Sequence, residues 1–242
     1  VIPNINENQA RIRVEAAENI FFDISNQNFS IEEATDPGYT FAISDEVYQT
    51  VCVPDEVDVT FQSAAILDYN QPIELEVTDI PPFVTAAFDN DVINPGESAQ
   101  MSVDLTQALD NEVIEITVRA ISGTDTVFTT SVFNLIYSDF SQLAMASPVN
   151  GASSLGISEA DFTWSDLFFA DSYDIQISAN PAFAPDDIVD DGYELTNPGF
   201  TPSVVLDANE LYFWRIRARN ECTLTDWLPA FAFHTVTLAC NT

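Results

Sequence analysis

Lysine is absent from this 242-residue sequence, and all six basic residues are arginine. Aspartate and glutamate together number 39, so the formal net charge is -33. A surface of this sign repels nucleic acid and anionic membranes at ordinary salt, so neither is an expected partner. High ionic strength or divalent cations would suit it, because they screen the repulsion between its own charges.

The usual groups of catalytic sites are also scarce. The chain has one histidine, His234, on a predicted strand, and it lacks the HExxH motif of zinc proteases and any CxxC pair. We interpret His234 as an edge or surface residue and predict no catalytic residue. No run of about 18 apolar residues occurs, so no membrane span is expected. No signal peptide is visible, and we expect the chain, which starts at Val1, to be part of a longer protein.

Short strands are abundant. Hydrophobic residues make up 46% of the chain, enough for folded cores. The pattern predicts an all-β protein with three parts: a β-hairpin tail of a preceding β domain plus linker at 1–38, a β-sandwich at 39–138, and a second β-sandwich at 139–242. No stretch is typical of a long helix.

The predicted first sandwich has runs in which apolar and polar residues alternate, at a spacing typical of immunoglobulin-like folds. The apolar members of four strands are Val57, Val59 and Phe61; Ile73, Leu75 and Val77; Met101, Val103 and Leu105; and Ile114, Ile116 and Val118. Residues 127–137 supply a last strand, and turns containing proline or glycine separate the runs.

The predicted hairpin precedes this sandwich. Residues 11–16 and 20–24 form two strands around a turn at 17–19, and a third short run includes Phe29 and Ile31. An isolated hairpin is at best marginally stable. We therefore expect it to belong to a preceding domain, to pack on its neighbour, or to complete a sheet in another chain.

The C-terminal part contains the clearest strand, LYFWRIRARN at 211–220. Tyr212 and Trp214 begin its apolar face, and a second tryptophan, Trp164, lies on an upstream strand. This pattern resembles a fibronectin type III domain, with Trp164 on the second strand and Tyr212 as the tyrosine corner. The resemblance implies that residues 201–206 form the strand before the corner.

A second resemblance concerns the segment QTVCVP at 49–54 and the turn NPGES at 94–98. Both are similar to an immunoglobulin-like module that follows the catalytic domain of secreted bacterial metalloproteases of the type IX secretion system. The resemblance implies an extracellular or cell-surface location and a multidomain parent. The module's cysteine, matched by Cys52, is commonly unpaired.

The three cysteines offer one predicted bridge. Cys222 and Cys240 flank the predicted last strand, and a disulfide between them would close a loop of about 18 residues and contribute roughly 3 kcal/mol. Such a bridge implies an oxidising compartment. Cys52 is left over, and we interpret it as a buried free thiol; the alternative is a reactive or intermolecular thiol.

Two acidic clusters are candidate calcium sites, because calcium takes six to eight oxygen ligands, often from loops. Neither matches an EF-hand loop, and the alternative for both is a solvated acidic surface. The clusters are Glu32, Glu33 and Asp36 in the linker, and Asp186, Asp187, Asp190 and Asp191. No cofactor other than calcium is expected.

Half of the basic residues lie on one strand face, at Arg215, Arg217 and Arg219. One interpretation is an anion or glycan site. The other is a ladder of ion pairs with acidic neighbours such as Asp174, each exposed pair contributing less than about 1 kcal/mol.

Three functional hypotheses follow. The first is a non-catalytic structural and binding module: a stalk, spacer or adhesive region of a larger secreted protein, with a protein or glycan surface as its ligand. The second is the accessory region of a secreted metalloprotease whose catalytic domain lies upstream. The third is an adhesin or filament subunit that associates with its own copies through the hairpin.

Overall fold

A computed structural model describes residues 6–15, 22–157 and 160–237. Within these ranges the protein consists of strands joined by turns, with two single-turn 3₁₀ helices at Phe140–Gln142 and Pro185–Asp187. Neither has the length or apolar character needed to cross a bilayer, and the described residues contain no other helix. The all-β class predicted from the alternating patterns is confirmed.

The N-terminal segment forms a long hairpin in two sections. Its strands are β1 (Glu7–Ala10), β2 (Arg13–Glu15), β3 (Phe22–Ile24) and β4 (Phe29–Ile31). The outer section pairs β1 with β4 and the inner section pairs β2 with β3, both antiparallel. The predicted turn at 17–19 lies outside the described residues. Strand β1 was not anticipated, because its sequence ENQA has no apolar alternation.

The apolar side chains of this hairpin lie in solvent. Ile12, Val14, Phe22, Ile24 and Phe29 are between 38% and 66% exposed. Of the three alternatives for the hairpin, packing on the neighbouring sandwich is therefore wrong, and cover by a preceding domain or by another chain stays a prediction. The hairpin strands form two-stranded sheets of their own, and β5, the first strand of that sandwich, pairs with a strand inside the sandwich.

The first sandwich follows. Its strands are β5 (Gly38–Ile43), β6 (Tyr48–Val53), β7 (Glu56–Ile66), β8 (Ile73–Asp79), β9 (Thr85–Phe88), β10 (Val92–Ile93), β11 (Ser98–Asp104), β12 (Glu112–Ser122) and β13 (Asp125–Tyr137). One sheet has the order β5-β7-β11-β9 and the facing sheet the order β10-β8-β12-β13-β6. Strand β6 joins the second sheet parallel to β13, while the other pairings are antiparallel. The first strand pairs in one sheet and the next, β6, crosses to the other, an immunoglobulin-like arrangement.

Alternation explains which residues form this core. Successive side chains of a strand point to opposite faces, so one apolar set per strand can face the opposing sheet. Val59 and Phe61 of β7 are fully buried against Ile116 and Val118 of the facing sheet's central strand β12, within one cluster of buried side chains. Their polar neighbours along each strand face outwards, as the sequence predicts.

The second sandwich is fibronectin-like. Its strands are β14 (Met145–Ser147), β15 (Ala152–Leu155), β16 (Phe162–Trp164), β17 (Ser172–Ser178), β18 (Ile188–Leu195), β19 (Gly199–Phe200), β20 (Leu211–Arg219) and β21 (Phe231–Thr235). A three-stranded sheet in the order β14-β16-β19 faces a five-stranded sheet in the order β15-β21-β20-β17-β18. Trp214 of the central strand β20 is fully buried and packs edge-on against Phe162 of the opposing sheet.

The tyrosine corner predicted at Tyr212 is present. The Tyr212 hydroxyl oxygen accepts a 3.0 Å hydrogen bond from the backbone N–H of Asp207, five residues upstream. The corner closes the connection between the two sheets, since β19 ends at Phe200 and β20 begins at Leu211. Trp164 lies on a strand, as predicted, and is buried. That strand, β16, is the third of this sandwich and not the second, because the short strands β14 and β15 precede it.

One strand prediction in this sandwich is wrong. Residues 201–206 are irregular, and the strand before the corner is the short β19 at Gly199–Phe200. The acidic segment at 186–191, for which no element was predicted, runs from a 3₁₀ helix into the edge strand β18. Its exposed outer face carries acidic residues, which hid the alternation.

Candidate functional site at the junction of the two sandwiches

A disulfide joins the two sandwiches. Cys52 of β6 and Cys222, three residues after β20, are linked with a Cα–Cα distance of 5.7 Å although they are 170 positions apart in sequence. The predicted pairing of Cys222 with Cys240 is therefore wrong, since one cysteine forms one disulfide. The interpretation of Cys52 as a free thiol is wrong for the same reason. Cys240 lies outside the described residues.

Tyr137, the last residue of β13, connects the two cores. Its side chain packs against the buried clusters of both sandwiches. In the second sandwich its ring meets Phe169 edge-on, with ring centroids 4.8 Å apart, and lies parallel to Phe168 at 6.4 Å. Its backbone N–H donates a 2.7 Å hydrogen bond to the Asn111 side chain of the first sandwich. Tyr137 is therefore held from both sides.

Asn220 supplies the polar half of the junction. It follows β20 and is only 9% exposed. Its side-chain amide donates to the carbonyl oxygen of Tyr137 at 2.8 Å and to that of Phe169 at 3.3 Å. Its side-chain oxygen accepts from the backbone N–H groups of Cys222 and Thr223 at 3.0 and 3.1 Å. One side chain thus fixes the loop that carries Cys222 and ties it to the end of the first sandwich.

The connection between the sandwiches is short and capped. Ser138 donates from both its backbone N–H and its hydroxyl to the carbonyl oxygen of Val53, beside Cys52, at 2.8 and 3.1 Å. Asp139 then caps the first 3₁₀ helix by accepting from the backbone N–H of Ser141 at 2.9 Å. That hydrogen bond lowers the pKa of Asp139 below its ordinary value, because it stabilises the carboxylate form.

The arginine strand forms a ladder with aromatic and acidic partners. Arg217 Nε lies 2.8 Å from an oxygen of Asp174, which is 1% exposed, and Arg219 lies 3.8 Å from the same oxygen. Arg215 donates to the side-chain oxygen of Gln176 at 3.0 and 2.6 Å. Of the two interpretations of this strand, the structure shows the paired ladder, with Asp174 as the predicted partner.

Aromatic rings complete the ladder. The guanidinium of Arg215 lies 4.0 Å from the ring centroid of Phe183 and 4.6 Å from that of Trp227, and Arg217 lies 4.5 Å from Trp227. Such cation–π contacts stabilise a guanidinium over a ring face. Burial, and secondarily the charge of Arg217, lowers the pKa of Arg215. No sequence pattern pointed to these rings, because Phe183 and Trp227 lie on separate loops.

The candidate calcium ligands lie in two places. Glu32, Glu33 and Asp36 are exposed in the linker between β4 and β5. In the second cluster, Asp186 and Asp191 are exposed, Asp187 ends a 3₁₀ helix, and Asp190 accepts hydrogen bonds from the backbone N–H and hydroxyl of Ser203. Across the described part of the chain, no three His, Cys, Asp or Glu side chains are grouped so as to hold a metal ion. Calcium binding by either cluster stays a prediction.

His234 is half-buried on β21, and its Nδ1 lies 3.0 Å from the backbone oxygen of Thr235. Strand β21 lies between β15 and β20, so the residue is on the outer face of an interior strand and not at an edge. No nucleophile–base pair that includes it is seen among the described residues.

Comparison with known proteins adds structural similarities only. No family model matches the sequence, and no curated protein matches it. Three solved structures resemble the fold: domains 4 and 5 of the S-layer protein SbsC (15% identity, 53% of this chain and 57% of that one, TM-score 0.29), domains A168 to A170 of titin (13%, 88% and 72%, 0.41), and an ectodomain fragment of ICAM-5 (7%, 84% and 52%, 0.45).

The chain spans less than two thirds of the S-layer and ICAM-5 structures. All three identities are below 25% and all three TM-scores are below 0.5, so the assignment of the fold rests on the strand order of the chain itself.

Proposed function

We propose that this chain is a non-catalytic spacer in a larger extracellular protein, and that its two sandwiches act as one rigid unit. The observation that carries the proposal is the Cys52–Cys222 disulfide, which crosslinks the sandwiches. Domains in one chain move relative to each other by default unless their interface is extensive. A covalent bond at the junction removes most of that freedom.

The contacts around the disulfide support rigidity further. Tyr137 packs on both cores, and Asn220 ties the cysteine loop to the end of β13. A persistent disulfide also supports an oxidising location such as the cell surface or the extracellular space, since cytosolic thiols are kept reduced. The strongly acidic surface fits such a spacer, because it resists non-specific association.

Rotational diffusion tests this proposal. Amide ¹⁵N relaxation of the intact chain should give one correlation time for residues of both sandwiches, since a rigid pair tumbles as one body. A Cys52→Ser/Cys222→Ser variant should give shorter and different values for the two sandwiches. Its circular dichroism, compared with that of the intact chain, verifies that both still fold. Independent tumbling in the intact, oxidised chain would contradict the proposal.

A metalloprotease parent is the finer alternative within this proposal. It depends on the resemblance of the segment at 49–54 and the turn at 94–98 to the module of secreted metalloproteases. In that case the chemistry lies upstream and this chain acts as its accessory region. The sequence preceding Val1 in the intact parent, or the parent's mass, would decide: a catalytic domain with HExxH supports it, and its absence removes it.

A second candidate function is self-association through the hairpin. Its favouring observation is the exposure of five apolar side chains on a two-stranded ribbon whose outer backbone groups are available for pairing. Burying one such side chain is worth about 1.5–3 kcal/mol, so contact with a second copy would be favourable. The hairpin would then act as the assembly element of a filament or adhesin subunit.

Sedimentation of the chain with and without residues 1–34 tests this second candidate. The intact chain should associate at micromolar concentrations, and the truncated chain should remain monomeric. Ile12→Thr/Phe22→Thr, which keeps the length and charge of the hairpin, should weaken association in the same way. Monomers throughout would remove the candidate and leave the spacer proposal intact.

A further inference from the structure

The disulfide creates a short covalent path through the molecule. Counted along the backbone, Cys52 and Cys222 are 170 positions apart. Fourteen of the fifteen strands from β7 to β21 lie between them, so the enclosed loop contains most of both sandwiches. The sulfur–sulfur bond connects the two ends of that loop directly, bypassing all of these strands.

Tension applied at the two ends of the chain would follow this path. From the N-terminal side it reaches Cys52 in β6, crosses the disulfide to Cys222, and continues toward the C terminus. Residues 53–221 lie on a side branch that carries no net pulling force. Their strands cannot be drawn out in series, whereas a chain without the bridge would transmit the force through every strand in turn.

We propose that the Cys52–Cys222 disulfide is a covalent stop that limits the extension of this chain under tension and shields residues 53–221 from load. A physiological role for this stop rests on the proposed spacer function, because tension acts on the chain only if both of its ends are anchored. The stop is also sensitive to redox conditions, since reduction of the disulfide restores the serial path.

Three parts of the sandwiches stay outside the protected loop. In the first sandwich they are β5 and the first residues of β6 (Tyr48–Val51), and in the second sandwich the strand β21. Strand β21 lies between β15 and β20 and contributes the fully buried Phe233 to the core. Removing it would disrupt the second sandwich, but the chain released would still be bounded by the disulfide.

The size of the limit follows from chain geometry. An extended chain spans at most about 3.3–3.6 Å per residue. The 170 residue spacings from Cys52 to Cys222 therefore correspond to roughly 560–610 Å of contour length that tension cannot release while the bond is intact. The loop encloses the 169 residues 53–221, so 242 less 169 leaves 73 residues outside it, which allow about 240–260 Å.

Single-molecule pulling tests the proposal. The full chain is held by inert handle domains at both ends and stretched by optical tweezers under non-reducing conditions. The oxidised chain should release no more than about 260 Å of its own contour length, whatever the force below disulfide rupture. Dithiothreitol added to the same molecules should increase the released length by about 560–610 Å.

Cysteine variants distinguish the Cys52–Cys222 bridge from pairings that involve Cys240. Cys240→Ser should keep the short limit, because Cys240 takes no part in the stop. Cys52→Ser should abolish the limit, and chemical reduction of the unmodified chain gives the same comparison if that variant folds poorly. Release of nearly the full length by the oxidised chain, or an unchanged length after reduction, would overturn the proposal.

The pulling experiment and the relaxation test can each give a negative result without the other. Tumbling reports rigidity at the junction, whereas released length reports connectivity. A chain with two correlation times and a short limit would contradict the rigid spacer while keeping the covalent stop.

Discussion

At the scale of single residues, Asp174 and Arg217 form an ion pair whose carboxylate is buried. Asp174 is 1% exposed, accepts from Arg217 at 2.8 Å, and also accepts a 3.0 Å hydrogen bond from the backbone N–H of Glu194. A buried charge without its partner is costly, and hydrogen bonds to charged groups contribute about 1.5–3 kcal/mol. The Asp174 carboxylate therefore ties β17 to both of its neighbours, to β20 through Arg217 and to β18 through the backbone N–H of Glu194.

We predict that Asp174→Ala lowers the free energy of unfolding of the second sandwich by about 2–4 kcal/mol. The control is Glu194→Gln, which removes the exposed partner of Arg219 at 3.3 Å and should cost less than about 1 kcal/mol. Tryptophan fluorescence during urea unfolding reads both, because Trp164, Trp214 and Trp227 are the only tryptophans and all lie in the second sandwich. Equal losses would contradict the special role of Asp174.

The tyrosine corner gives a pH-dependent prediction. Burial, the largest cause, raises the pKa of Tyr212 above its ordinary value of 10.0. The folded state therefore holds the phenol proton more tightly than the unfolded state. The associated stability is fully present below about pH 10 and is lost as the pH rises from there through the folded-state pKa.

Tyr212→Phe should lower the stability at pH 7 by about 1–2 kcal/mol, because the N–H of Asp207 loses its acceptor. The same variant should show a shallower fall in stability above pH 10, since one raised pKa is gone. Urea unfolding at several pH values between 7 and 11, followed by tryptophan fluorescence, measures both effects. If the fall in unfolding free energy above pH 10 is the same in the variant, Tyr212 does not contribute to that fall. Tyr173 and Tyr39, whose pKa values are also raised, would then account for it.

At the scale of elements, strand β18 depends on a glycine to lie close to β19. A Cβ atom on Gly192 would come within 2.9 Å of a ring carbon of Phe200 and 3.1 Å of a methyl carbon of Leu195. Phe200 is half-buried and packs against the core of the second sandwich. Even one extra methyl group in such a place forces neighbouring side chains to shift.

Gly192→Ala should therefore destabilise the second sandwich by about 1–3 kcal/mol. Gly199→Ala is the matched control on β19, because its nearest neighbour, the carbonyl oxygen of Phe162, would lie at an ordinary 3.5 Å. The control should be neutral, or stabilising by up to about 1 kcal/mol, since alanine reduces the freedom of the unfolded chain. Tryptophan-monitored denaturation compares the two, and a control as costly as Gly192→Ala would show that strand glycines are needed for another reason.

At the scale of the whole molecule, charge dominates. A net charge of -33 repels itself in the compact state, and salt screens that repulsion. We predict that the melting temperature rises between 10 mM and 1 M sodium chloride by several degrees. Scanning calorimetry of the intact chain measures the change. An unchanged melting temperature would contradict this account of the acidic surface.

Calcium is tested by the same measurement. At matched ionic strength, millimolar calcium should raise the melting temperature more than magnesium does if either predicted cluster binds it, because a ligand bound only to the folded state stabilises it. Asp186→Asn/Asp191→Asn and Glu32→Gln/Glu33→Gln would then identify the cluster. An equal rise in melting temperature with calcium and with magnesium would show that calcium acts only by screening charge and that neither cluster binds it specifically.

The sequence by itself determined the strands and the two cores. Alternation with period two is a local property, so runs such as the one at 114–118 and the one at 211–220 predict both a strand and its buried face. The tyrosine corner at Tyr212 was predicted from the resemblance of this strand to a fibronectin type III domain, and its hydrogen bond is local, reaching only five residues upstream. Short or acidic strands such as β1 and β18 were not predicted, since their exposed faces carry no alternating apolar residues.

Only the tertiary structure decided which cysteines pair and what holds the sandwiches together. A disulfide needs Cα atoms about 4.4–6.8 Å apart, a condition that sequence spacing does not reveal. Cys52 and Cys222 meet it at 5.7 Å because β6 crosses to the sheet of β13, whose end turns directly into the second sandwich. That placement depends on the packing of both domains, and it converts two ordinary sandwiches into one crosslinked unit.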